Sequence, residues 1–101
     1  METQIFEIIS HGGDARAYAY EALEAAKDED FHKVEELLEK SQEELDLAHN
    51  TQTKLIQSEI NGDKLEINLL VIHAQDQLMT AISEKNLIEQ MVKLYKKISE
   101  K

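Results

Sequence analysis

Apolar and small residues recur at alternating three- and four-residue spacing along most of the chain, which is the period of an amphipathic helix and not of a strand. The first seam reads Ile5, Ile8, Gly12, Ala15, Ala19, Ala22 and Ala26, and predicts a helix from about Thr3 to Lys27. Its residues are mostly small, so a neighbouring helix can approach closely. Gly12-Gly13 lowers helix propensity yet leaves the seam in phase, which predicts one helix with a weak point. Lys27-Asp28-Glu29-Asp30 breaks the pattern, with Asp28 or Asp30 suited to cap the next helix. That second helix is expected from about Asp30 to Glu59 on Phe31, Val34, Leu38, Ser41, Leu45, Ala48, Gln52 and Leu55. Asn61-Gly62-Asp63 is the clearest turn, because Asn and Gly tolerate the left-handed conformation that ends a helix. The third helix is expected from near Lys64 toward Ile98.

Short turns between long helices make sequential neighbours antiparallel, so the pattern implies an all-α, up-down-up three-helix bundle occupying residues 1–101 as a single domain. The lack of proline and the abundance of Ala, Leu, Glu, Lys and Gln agree with it. On the third helix, at about 100° per residue, Leu65, Leu69, Ile72, Met79, Leu87 and Leu94 share one face with Asp76. That face is expected to be a core stripe with an acid in its middle. Ile67, Leu70, Leu78 and Ile82 point elsewhere, and so slender a bundle cannot cover them all. Self-association through the third helix is therefore expected, with Asp76 at the subunit interface.

Composition narrows the function. A net charge of −10 argues against nucleic acid, and the terminal Lys93, Lys96, Lys97 and Lys101 are better explained as complementing a helix C-terminal dipole. Without cysteine there is no disulfide framework and no thiolate chemistry. The first residues lack the basic region and apolar core of a signal peptide, and no apolar run is long enough to span a bilayer, so a cytoplasmic location is expected.

The candidate chemistry lies in His73-Ala74-Gln75-Asp76-Gln77, next to the apolar run Leu69-Leu70-Val71-Ile72. A buried lone carboxylate must be protonated, hydrogen-bonded, paired or bound to a cation, which singles out Asp76. His73 lies at the edge of the stripe, where a neutral imidazole can accept a phosphoryl group without a separate base. Gln77, one turn on, shares nearly the same face and can donate an amide hydrogen bond to an anion held there, whereas Gln75 points nearly the opposite way. His49 suits packing and hydrogen bonding, and His11 and His32 are expected to be exposed. Glu29-x-x-His32 and Asp46-x-x-His49 have the spacing of di-iron bundles but lack the bridging glutamates on further core-facing helices.

His73-Ala74-Gln75-Asp76-Gln77-Leu78-Met79 resembles the HAQDHLM segment of the lactose/cellobiose-type enzyme IIA of the bacterial sugar phosphotransferase system. Gly13-Asp14-Ala15-Arg16, Glu21-Ala22-Leu23 with Ala25-Ala26-Lys27 and Asp30-Phe31, and Ala48-His49 with Gln52-Thr53 and Leu55-Ile56 extend the likeness, in order, over nearly the whole chain. The sequence departs from the family pattern at Gln77, where histidine is general, and at Ala17, where serine is frequent. The resemblance implies a homotrimer, a phosphohistidine at His73, and one shared Mg2+ on the three-fold axis held by Asp76 of each subunit. It also implies that phospho-HPr donates to Nε2 of His73, and that a cysteine of enzyme IIB accepts. Enzyme IIB in turn serves the membrane transporter of a lactose, cellobiose or chitobiose type of sugar. On this reading the chain is a transient phosphoryl carrier and not a stand-alone sugar kinase. The rival reading is a non-catalytic oligomeric scaffold or regulator, in which Asp76 fixes register and His73 is a packed residue.

Overall fold

The computed structural model describes residues 2–101, which form α1 (Glu2–Lys27), α2 (Phe31–Ile60) and α3 (Leu69–Ser99), with no strand among them. α1 runs unbroken through Gly12-Gly13. After it, Glu29 takes a left-handed φ of 61° and the Asp30 amide returns to the Ala25 carbonyl at 2.9 Å, so the chain reverses within three residues. Asp30 then caps α2, its Oδ1 accepting from the Lys33 amide at 3.3 Å.

Gly62, at φ 102°, ends the second reversal, and the Ser58 hydroxyl donates to Asp63 Oδ2 at 2.7 Å. α3 does not begin near Lys64 as the spacing predicts. Residues 63–68 carry no helix, and α3 starts at Leu69 because Asn68, in extended backbone, caps it: its Oδ1 accepts from the Val71 amide at 3.0 Å.

The interhelical contacts fix direction. Thr51 reaches Glu7, Glu44 meets His11 and Ser41 meets Ala15, so α2 runs antiparallel to α1. Gln77 lies against Gly12-Gly13 and Glu84 against Arg16, so α3 runs parallel to α1. The result is the expected up-down-up bundle, a rod of 57 × 20 × 18 Å. α1 is its spine: Gly12, Ala15, Ala19, Ala22 and Ala26 are all buried, and these small side chains let both other helices come close.

Apolar packing divides into two clusters. One holds Ile5, Ile8, Leu45, Ala74 and Leu78, and the other Ala22, Ala26, Val34 and Leu37. Polar links occur at mid-height. Ser41 Oγ donates to the Ala15 carbonyl at 2.8 Å, and buried Lys85 bridges Gln42 and Glu89, each at 2.5 Å. Arg16 clasps Glu84 through two parallel bonds of 3.0 Å. That pairing raises the Arg16 pKa above its ordinary value, chiefly through the hydrogen bond, with burial opposing it.

The stripe expected to face the core of the subunit faces outward instead. Leu69 (83% exposed), Ile72, Met79, Leu87 and Leu94 are all open to solvent, as is Asp76, while Leu78 is fully buried with Ala74, Ala81 and Ile88. Hydrophobic periodicity locates apolar faces without saying which one meets the same chain. Here α1 presents alanines and glycines, and the face of α3 that fits against them is the one with alanine at positions 74 and 81.

Candidate functional site

His73 stands in the second turn of α3, whose first turn is fixed by the Asn68 cap and anchored by half-buried Leu70 and Val71 against the first cluster. Its imidazole is exposed, and no side chain among the described residues hydrogen-bonds it. It therefore differs from the two other histidines that have partners. His11 Nδ1 meets Glu44 Oε2 at 2.5 Å, and His32 Nε2 lies 3.2 Å from Glu36. His49 is exposed on α2.

The expectation that His11 is exposed is corrected: it faces α2, is half-buried, and joins α1 to α2 through Glu44. With Asp14 it forms a group whose donor atoms lie within 4.8 Å of one another. Spacing alone points to Glu29/His32 and Asp46/His49, which do not form such a group. The His11 group escapes a sequence reading because its donors come from two helices, and only the antiparallel register of α1 and α2 unites them.

Gln77 lies one turn beyond His73, half-buried, with its side chain against Gly12-Gly13 of α1. Gln75 points the other way, as expected, and its Oε1 accepts from Gln52 Nε2 at 2.6 Å, bridging α3 to α2. Beneath that bridge lies a groove of about 330 Å³ lined by Ile5, Leu55, Ile56, Val71, Ile72 and Asp76 among others. The acid thus sits where an apolar groove meets the apolar outer stripe of α3. Asp76 thus brings one exposed carboxylate to an otherwise apolar stripe, a hard oxygen donor but too few ligands to hold a cation by itself.

Chemically the arrangement provides a nucleophilic nitrogen on a rigid helix, an amide donor beside it, and a carboxylate on the adjacent face. The apolar groove beneath the Gln75–Gln52 bridge is lined by Asp76 on this side of α3, while the His73 ring stands exposed on the helix surface. Among the described residues no helix is long and apolar enough to cross a membrane.

Comparison with known proteins shows the family and the fold. Residues 3–96 match the family model described as PTS system, Lactose/Cellobiose specific IIA subunit. The chain is 47% identical to the lichenan-specific phosphotransferase enzyme IIA component of Bacillus subtilis, over 99% of this chain and 91% of that protein. It superposes on the crystal structure of the PTS cellobiose-specific enzyme IIA from Bacillus anthracis with a TM-score of 0.97 and 45% identity, covering 99% of this chain and 92% of that one. The IIA(chitobiose) of the Escherichia coli IIA(chitobiose)–HPr complex superposes at a TM-score of 0.83 and 35% identity, covering 97% of this chain and 95% of that one. The chain belongs to the lactose/cellobiose-specific IIA subunit family and is a phosphoryl carrier of the sugar phosphotransferase system.

Proposed function

We propose that His73 is the phosphoryl acceptor, loaded by phospho-HPr and unloaded onto a cysteine of an enzyme IIB. The observation that carries this reading is an exposed, unpartnered imidazole inside the very segment that resembles the family's HAQDHLM motif. In the first step the lone pair of the His73 nitrogen attacks phosphorus in line. An N–P bond forms while the bond between phosphorus and its carrier atom on HPr breaks, and that atom leaves with the electron pair. In the second step the cysteine sulfur attacks the same phosphorus and the imidazole leaves. The protein contributes orientation and hydrogen-bond donors, and Gln77 is placed to give one to a phosphoryl oxygen. A IIA–HPr complex among the structural neighbours supports HPr as donor.

The outer stripe of α3 supports a homotrimer with α3 lining the axis. Three copies of Asp76 would then meet, and a hard divalent cation such as Mg2+ would offset their repulsion. Such a cation would supply charge neutralisation and take no part in the transfer. The named sugars of the relatives, lichenan, lactose, chitobiose and cellobiose, support a β-linked disaccharide as the cargo of the pathway, handled in the cytoplasm by enzyme IIB and the membrane transporter.

Intact mass after incubation with enzyme I, HPr and phosphoenolpyruvate tests the reading. One phosphoryl group per subunit is expected, acid-labile and base-stable, absent from His73→Gln and present in variants of His11, His32 and His49. Uptake by His73→Gln would move the site elsewhere. No uptake by the parent chain would favour the non-catalytic scaffold.

A further inference from the structure

Gly12 and Gly13 form a notch on α1 whose opposite wall is Gln77. A Cβ on Gly12 would lie 3.3 Å from Gln77 Cγ and 3.7 Å from its carbonyl oxygen, and one on Gly13 would lie 3.2 Å from Gln77 Nε2. Both glycines are inside α1 with negative φ, so what they provide is room and not an unusual backbone. In a helix interior each costs about 0.5–1 kcal/mol relative to alanine. The two positions use the room differently. Gly12 is buried and admits the backbone of α3, whereas Gly13 is only half-buried and touches the tip of the Gln77 side chain alone.

Where that tip lies matters because helical side chains lean toward the N-terminus of their helix. That tendency directs Gln77, one turn beyond His73, back toward the turn that carries it. Unlike Gln75, which is tied to Gln52, its carboxamide has no hydrogen-bond partner among the described residues, and no buried side-chain polar atom among them lacks one. The amide thus lies beside Gly13 with its hydrogen-bonding capacity unused within the described residues.

We propose that Gly13 is a positioning residue for phosphoryl transfer: its missing side chain lets the Gln77 carboxamide settle beside His73, where it donates to an oxygen of the phosphoryl group in flight. The inference rests on His73 being the acceptor. No bond to Gln77 forms or breaks; its N–H only meets an oxygen whose negative charge is exposed as phosphorus passes between nucleophiles. A methyl group at position 13 pushes that amide aside by a few tenths of an ångström without touching the backbone of α3.

The test is a double-mutant cycle on the rate of phosphoryl uptake from phospho-HPr, with thermal midpoints measured in parallel. Gln77→Ala should slow uptake about tenfold, as expected for losing one hydrogen bond to a charged group. Gly13→Ala should slow it about threefold or more while its thermal midpoint stays level or rises, since alanine favours the helix. The double variant should be no slower than Gln77→Ala, because Gly13 acts only through that amide. Gly13→Ala at the parent rate, or a double variant slowed by the product of the two single effects, overturns the proposal. Should Gly13→Ala lower the thermal midpoint, Gln77→Asn puts the question without altering α1. It keeps the amide but withdraws it by one methylene, so it must slow uptake nearly as much as Gln77→Ala, and uptake at the parent rate overturns the proposal. A parent chain that takes up no phosphoryl group, or takes it on another histidine, refutes the His73 reading. A parent labelled on His73 with an unaffected Gly13→Ala refutes the positioning role alone.

Discussion

The two apolar faces of α3 differ in the size of their side chains and in what covers them. Toward its own bundle the helix turns Ala74, Leu78, Ala81 and Ile88, all buried; away from it stand Leu69, Ile72, Met79, Leu87 and Leu94, all exposed. The smaller set lies inside because α1 is lined by alanine and glycine and packs at close range, where bulk has no room. The larger set has no counterpart in the subunit, and exposing it in water is unfavourable. Asp76 belongs to the outer set, His73 lies at its edge, and Gln77 looks back toward α1. Folding is therefore written on one side of the helix, the proposed assembly on the other, and the proposed site where the two faces meet.

If the outer face builds the assembly, charging it should have the largest effect. Leu87→Glu with Leu94→Glu should turn the trimer into monomers by light scattering, because three copies of each carboxylate would be driven together in an apolar seam. Far-UV circular dichroism should show the helices retained, since neither residue is needed inside the subunit. A trimer that survives both charges would assign the interface to another surface.

Neighbours at positions 78 and 79 sharpen the contrast. Leu78 is 0% exposed and Met79 56%. Leu78→Ala should cost about 3–5 kcal/mol of chain stability through lost burial and the cavity left behind. Met79→Ala should change the stability of the dissociated chain by no more than about 0.5 kcal/mol and act instead on the concentration at which subunits associate. Denaturant titration at several protein concentrations separates the two, and equal, concentration-independent losses would erase the distinction between the faces.

This division also explains what the sequence discloses and what it withholds. The α1 seam is legible because that helix has a single apolar face, and Ile5, Ile8, Gly12, Ala15, Ala19, Ala22 and Ala26 are all buried as spaced. On α2 the phase is right at Val34, Ser41, Leu45 and Ala48, although Leu37 is buried more deeply than Leu38. α3 has two apolar faces, so its period gives their phase without their direction, and the bulkier stripe reads as the core. Its start lies further on than the spacing predicts for a local reason: residues 63–68 stay out of the helix, and the cap is Asn68, which accepts from the Val71 amide. His73, Asp76 and Gln77 stand out in the sequence because they interrupt an apolar run. The Gly12-Gly13 contact with Gln77 and the His11–Glu44 pair do not, since each depends on the register between helices.

A modest gain in stability is the effect most informative about Asp76. Replacing this exposed acid of the outer stripe with leucine, a side chain of similar size, removes three carboxylates from the proposed axis together with the desolvation they suffer there. Asp76→Leu should therefore keep the trimer and raise its stability by about 1 kcal/mol or somewhat more. Magnesium should stabilise the parent in proportion to its occupancy and leave the variant unmoved, because a cation that binds only the assembled site shifts the unfolding equilibrium by mass action. Thermal unfolding of both proteins, with the cation and with a chelator, gives four midpoints. The axial site requires the parent alone to respond; a parent indifferent to every divalent cation, beside a variant much less stable, would mean that Asp76 is held by a partner within the protein.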